Sequence, residues 1–112
     1  MEKTVGVLGC SGAVGKEVID YLSGKYKILG GQRSECTFEK DNIKWVKTDI
    51  FDDESLDNFC RQCDIVINSA GPSSKIKLRV AQSAAKNGID YVDTSGESIY
   101  IERENKIFKN SQ

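Results

Sequence analysis

Three glycines spaced by three, Gly9-x-x-Gly12-x-x-Gly15, follow the apolar run Val5-Gly6-Val7-Leu8 and precede a run with helical periodicity. No other part of the chain constrains the fold as much. A strand that turns within a few residues into a helix is the opening unit of a parallel α/β sheet. Gly9 is expected to make the turn, Gly12 to keep side chains off the backbone N–H groups, and Gly15 to let the helix lie close to the sheet. The start of that helix offers unpaired N–H groups and the positive end of the helix dipole, a setting suited to a pyrophosphate. The set facing such a ligand is Gly9, Ser11, Gly12, Ala13, Val14 and Gly15. A purely structural turn can use the same glycines, so the surrounding pattern decides. Val14, Val18, Ile19 and Leu22 fall on one face of a 3.6-residue period, and Gly24 stands where a helix C-cap is expected.

The rest of the chain alternates in the same way. Tyr26–Gly31 reads as a second strand, and Gln32–Asn42 as a polar loop. Ile43–Lys47 reads as a third strand, its lysines placing it at a sheet edge. A helix near Asp53–Cys63 is expected, with Asp52 or Asp53 as N-cap. Asp64–Asn68 is apolar without alternation, as in a buried parallel strand. Lys75–Asn87 is expected to be a helix stopped by Gly88, Asp90–Asp93 a fifth strand, and Ser98–Lys109 a last helix. Strands alternating with helices predict a Rossmann-type doubly wound α/β fold, a parallel sheet of about five strands in the order 3-2-1-4-5. The switch point lies between the first and fourth strands. The loops expected at that rim are Gly9–Gly15, Gln32–Ser34, Asp49–Ile50, Asn68–Ser73 and Thr94–Glu97, and Asp49 and Ile50 join the cofactor-facing set.

The 112 residues suffice for one domain, and 16 basic against 17 acidic residues leave a net charge of -1. No basic block argues for nucleic acid. No apolar run approaches the ~20 residues of a membrane span, and the chain enters its first strand too early for a signal peptide. A cytoplasmic location is the expectation. Cys60-x-x-Cys63 lacks a second pair or any histidine to complete a zinc site, and it sits near a helix end, whereas a thioredoxin-type pair opens one. Both are read as core thiols, and no metal is expected. Tyr21-x-x-x-Lys25 has the spacing of a short-chain dehydrogenase pair but lies far along the first helix. It is read as coincidence.

The end of the second strand speaks to the choice of dinucleotide. An acid there accepts hydrogen bonds from the adenosine ribose of NAD, whereas an arginine suits the 2′-phosphate of NADP. The chain reads Gly30-Gly31-Gln32-Arg33-Ser34. Arg33 and Ser34 favour NADP. Glu35 keeps NAD open should the strand run a residue or two further.

Two later segments sharpen the reading. Asp64-Ile65-Val66-Ile67-Asn68-Ser69-Ala70-Gly71-Pro72 and, beyond a helix, Asp90-Tyr91-Val92-Asp93-Thr94-Ser95-Gly96-Glu97 resemble the N-terminal cofactor domain of saccharopine dehydrogenase-like oxidoreductases. The resemblance covers essentially the whole chain. It implies that Asn68, Ala70, Gly71 and Pro72 line the nicotinamide half of the cofactor, with Pro72 stiffening the loop. It implies further that Asp93, Thr94, Gly96 and Glu97 approach the nicotinamide or the substrate. Asp93 and Glu97 serve equally well as caps of the last helix.

Family enzymes continue into a substrate domain, so the chain is expected to be a cofactor domain without it. The parent reaction would move a hydride between nicotinamide and a small amino-acid-derived carbon, such as an imine. No general acid or base is assigned, and turnover by this chain alone is not expected. The expected partners are the dinucleotide and either the substrate domain or a second copy, with Tyr100, Ile101, Ile107 and Phe108 as the docking patch. The alternative is a free-standing module that senses NAD(P) without turnover. A third reading, an NmrA-like relative of the short-chain dehydrogenases, shares the glycine motif but not the Asp93–Glu97 segment.

Overall fold

The structure, a computed structural model, describes residues 3–70 and 74–93. The elements are β1 (Thr4–Leu8), α1 (Ala13–Leu22), β2 (Lys27–Gln32), β3 (Ile43–Lys47), α2 (Asp53–Arg61), β4 (Ile65–Asn68), α3 (Ser74–Lys86) and β5 (Asp90–Asp93). All neighbouring strands pair in parallel, in the order β3-β2-β1-β4-β5. The doubly wound order expected from the strand–helix alternation is the one observed. The lysine-bearing strand β3 takes an edge, where its solvent-facing side chains cost least.

β1 lies between β2 and β4, with Val7 in register with Gly30 on one side and Ile67 on the other. Its side chains alternate between two cores. Leu8 joins Leu56, Phe59, Val66 and Val80 beneath α2 and α3, while Val5 and Val7 join Ile19 and Ile28 beneath α1. The Phe59 ring packs on the sheet where Gly31 leaves room, since a Cβ there would come within 2.7 Å of the ring. Ala81 and Ala84, both fully buried, bring α3 close to the sheet. The β2–β3 connection contains no helix, and Cys36 and Phe38 from that loop cover the core on the α1 side.

The helix ends show which local signals were used. Asp52 caps α2, its carboxylate accepting from the N–H groups of Glu54 and Ser55. Gly88 (φ 69) closes α3 in a Schellman arrangement, with Ile89 N–H donating to Ala84 O and Gly88 N–H to Ala85 O. Gly24 does not cap α1 as expected. The cap is Ser23, in right-handed helical conformation. The Leu22 carbonyl accepts from the N–H groups of Lys25 and Tyr26 and the Asp20 carbonyl from Ser23 Oγ, so these helix-end carbonyls are served without a left-handed glycine, while Asn42 Nδ2 ties down the loop beyond by donating to the carbonyls of Ser23 and Tyr26. Val14 also departs from the expected buried face. It is 48% exposed, in an exposed run from Ser11 to Val14 at the start of α1.

Cys60 closes the last turn of α2 and Cys63 follows two residues after the helix end. Both are buried. Burial pushes the thiol of Cys60 up and that of Cys63 up to about 12, and Cys63 donates to the carbonyl of Phe59. They are neutral core side chains, as read from the sequence. Asp57 fastens α2 to α3 by accepting from Ser83 Oγ (2.6 Å), Lys86 Nζ (2.7 Å) and Asn87 Nδ2 (3.3 Å). The Lys86 ammonium and the Ser83 hydroxyl hold its carboxyl below the usual range.

Candidate cofactor site

The carboxyl ends of β1, β2, β3 and β4 meet at one rim, and the glycine loop lies at its centre. Gly9 has φ 76, a conformation that L side chains rarely adopt, and a Cβ on it would sit 2.8 Å from Ala70 Cα. Gly15 is buried, and a Cβ on it would run into the carbonyl oxygen of Gly9 and lie 3.0 Å from Ser69 Oγ. Gly12 differs. It is exposed, and a Cβ there would only touch Gly9 O at 3.4 Å. Two of the three glycines are thus required by packing, while the third leaves open the approach to the helix start. Gly12 is also the N-cap, without a side-chain cap, so the first-turn N–H groups of Ala13, Val14 and Gly15 have no partner within the helix.

The loop is pinned from both sides. Ser69 donates its hydroxyl to Leu8 O at 2.6 Å, locking the end of β4 against the start of the turn. Gln32, the last residue of β2, accepts the Ser11 N–H on its Oε1 at 3.0 Å and donates its Nε2 to Ser34 O at 2.9 Å. Its own carbonyl accepts from Trp45 Nε1 and from Thr48 N–H. Gln32 therefore joins three loops of the rim. Since the Ser11 amide is committed to Gln32, the hydroxyl and the amides of Ala13 and Val14 are what this loop offers an anion.

A cleft of about 260 Å³ opens beside this loop, bounded by Ser11, Arg33, Ser34, Asp49, Ile50 and Phe51. Arg33 and Ser34 are exposed. β2 ends one residue later than expected, at Gln32, yet Glu35 is not part of the cleft wall. The Asp49 carboxylate accepts from Phe51 N–H at 3.0 Å, and the Asp49 N–H donates to Ser55 Oγ, so the β3 loop is internally braced. The residues present fit a phosphorylated dinucleotide. Free helix-start amides and a guanidinium flank the cleft, and its one carboxylate is already engaged by a backbone amide.

On the other side of β1, Asn68 is buried and its Oδ1 accepts the Ala70 N–H at 3.0 Å, which shapes the chain leaving β4. Asp93 ends β5 in register with Asn68. Gly71 and Pro72 lie outside the described residues, as do Thr94, Gly96, Glu97 and the expected last helix with Tyr100, Ile101, Ile107 and Phe108.

Cys10, inside the loop, is fully buried, and its thiol is pushed up to about 11 by burial and by the neighbouring Cys36. It stays protonated near neutral pH, so the adjacent helix-start amides do not activate it. Tyr21 is 78% exposed at the far end of α1, with Lys25 Nζ 6.0 Å from its ring, well away from the rim.

Sequence reasoning set Gln32 and Ser69 in rim loops without giving either a role, and it did not single out Arg79. The Arg79 guanidinium, on α3, donates to Ile50 O at 2.9 Å and pairs with Asp53 at 2.6 Å. Gln32 carried a weak signal, a long polar side chain closing a buried strand. Ser69 and Arg79 carried none, because their partners are 61 and 29 residues away.

Among solved structures, the apo saccharopine dehydrogenase (L-Glu forming) of Saccharomyces cerevisiae is 26% identical, with a TM-score of 0.72 over 89% of this chain and 23% of that one. A short-chain dehydrogenase/reductase of Veillonella parvula in complex with NADP shares the fold, with a TM-score of 0.72 at 12% identity, covering 99% of this chain and 64% of that one. A Caenorhabditis elegans protein described as a lipid droplet localized protein is 31% identical over 115 residues, which is 87% of this chain and 27% of that protein. The chain thus spans about a quarter of the length of the worm and yeast relatives. Among the described residues no helix is long and apolar enough to cross a membrane. Residues 5–111 match the family described as saccharopine dehydrogenase NADP binding domain. Because that match takes in nearly the whole chain and every strand of the sheet, the chain belongs to the saccharopine dehydrogenase NADP binding domain family.

Proposed function

We propose that this chain is the NADP(H)-holding part of an oxidoreductase that moves a hydride between nicotinamide and a small amino-acid-derived substrate. The observation that carries the reading is the rim cleft, where Arg33 and Ser34 stand beside the glycine loop and Glu35 forms no part of the wall. The first turn of α1 and Gly12 receive the pyrophosphate. Arg33, with a planar fork of donors, and Ser34 receive the 2′-phosphate. Asp49 and Ile50 border the adenosine. Asn68, Ala70, Gly71 and Pro72 border the nicotinamide half, and Asp93, Thr94, Gly96 and Glu97 come next to the nicotinamide or the substrate. The cofactor supplies the hydride when bound, and the chain binds and orients it. No general acid or base is assigned to these residues.

The substrate pocket is assigned to a further domain or to a second copy, since the relatives extend far beyond the matched quarter. A cytoplasmic location belongs to the same proposal, because four free cysteines suit a reducing compartment. The test is a titration with NADPH and NADH, followed by calorimetry and by Trp45 emission. NADPH is expected to bind at least about tenfold tighter than NADH, a gap of ~1.4 kcal/mol. No binding, or a preference for NADH, overturns the reading. Incubation with NADPH and imine-forming amino-acid and keto-acid pairs is expected to give no turnover, and clear turnover would remove the need for a further domain.

A further inference from the structure

Arg79 lies on α3, away from the glycine loop, yet its guanidinium reaches three groups within four consecutive residues, from the β3 loop to the first residue of α2. Its Nε donates to Ile50 O at 2.9 Å, its terminal nitrogen pairs with Asp53 Oδ1 at 2.6 Å, and its central carbon lies 5.8 Å from the centre of the Phe51 ring. The ion pair itself is a weak holdfast, since the Asp53 side chain is 87% exposed and water screens it. Geometry is what the arginine adds. The planar fork spreads its donors so that one reaches a carbonyl and another a carboxylate while the plane lies near a ring, whereas a lysine carries its three donors on a single nitrogen and cannot reproduce that spread.

Held in this way, Phe51 stays 60% exposed and lines the cleft. A large ring kept at a cleft rim, with a cation near it, offers a flat apolar face to a second ring. Among the cofactor's parts the purine is the flat group that belongs at this end of the cleft, beyond Arg33 and Ser34.

We propose that Arg79 is a positioning residue that sets Ile50 and Phe51 as the adenine-side wall of the cleft, with Phe51 stacking on the purine. The inference rests on the cofactor reading above. It is tested by saturation-transfer NMR and calorimetry with NADP+ on the wild type and on R79M, R79K and F51A. The wild type is expected to transfer saturation strongly to the adenine H2 and H8 protons. R79M and F51A are each expected to bind at least about fivefold more weakly, the low end of what one base–aromatic stack contributes. Their adenine signal should fall relative to the nicotinamide signal, and R79K should fall between R79M and the wild type. A change confined to folding would lower the melting temperature without altering that ratio. Should R79M fail to fold, F51A carries the same readout, because removing an exposed ring leaves the core intact. Unchanged affinity and an unchanged adenine-to-nicotinamide ratio in F51A, or in folded R79M, overturn the inference. Failure of the wild type to bind NADP+ instead overturns the cofactor reading itself.

Discussion

The backbone N–H of Ser11 donates to Oε1 of Gln32 across 3.0 Å, tying the glycine loop to the end of β2. The amide nitrogen of the same side chain holds Ser34 O at 2.9 Å. One glutamine thereby sets the spacing between the glycine-loop end of the cleft and the Arg33–Ser34 end. Gln32→Ala is expected to release both loops and weaken NADPH binding about 5–10-fold, the scale of one or two neutral hydrogen bonds. Amide exchange at Ser11 should accelerate in the variant. Unchanged exchange and affinity would show the latch to be incidental.

The glycines separate by what a side chain would meet. Gly12→Val places its Cβ at ordinary contact distance from Gly9 O, so the fold is expected to survive while either dinucleotide binds at least about tenfold more weakly. Gly15→Ala drives a methyl group into the Gly9 carbonyl and is expected to lower stability by about 1–3 kcal/mol. Thermal melts alongside binding isotherms distinguish the two, and the proposal for the loop fails if folded Gly12→Val binds normally.

Arg33→Ala tests cofactor choice. The guanidinium is exposed in the cleft wall, so removing it should leave the fold unchanged. NADPH should lose about 1.5–3 kcal/mol and NADH almost nothing, since only the former carries the 2′-phosphate. Equal losses for both cofactors would point away from a phosphate contact at Arg33.

Asp57 links stability to pH. Its carboxyl is held below its ordinary 3.8 chiefly by Lys86 and then by Ser83, so the folded form binds its proton less readily than the unfolded form. A depressed folded value stabilises fully above the unfolded value, and that stabilisation is lost as pH falls through the folded one. Asp57→Ala should cost about 1–3 kcal/mol near neutrality, since three donors lose a buried acceptor. The gap between wild type and variant should narrow below about pH 4. A gap that stays constant into acid would contradict the ionic role.

The cysteines divide by burial. Cys10, Cys60 and Cys63 are buried with raised thiol values, whereas Cys36 is half-buried in the β2–β3 loop. Maleimide at about pH 7.5 is expected to label Cys36 first and the other three only on unfolding, because attack requires an accessible thiolate. Peptide mapping after brief labelling decides this, and early modification of Cys60 or Cys63 would reopen a reactive role for the pair.

Much of the architecture was legible before any coordinates. Apolar runs of four or five residues alternating with helical periodicity dictate a parallel sheet, and the glycine spacing after β1 marks its switch point. Asp52 and Gly88 act where their local chemistry predicts, because N-caps and left-handed C-caps are satisfied within a few residues. The candidate rim residues Arg33, Ser34, Asp49 and Ile50 were legible for the same reason, each lying within a few residues of a strand end.

Tertiary structure decided what depends on distant partners. Gly24 is not a left-handed cap, and the loop after α1 is held instead by Asn42, whose Nδ2 donates to the carbonyls of Ser23 and Tyr26. Val14 shows helical periodicity but stays exposed, along with Ser11, Gly12 and Ala13 before it. The roles of Gln32, Ser69 and Arg79 rest on hydrogen bonds across 21, 61 and 29 residues. Local sequence specifies backbone conformation and which face is apolar. Which polar side chain meets which carbonyl at the rim is set only when the sheet assembles and brings the strand ends together.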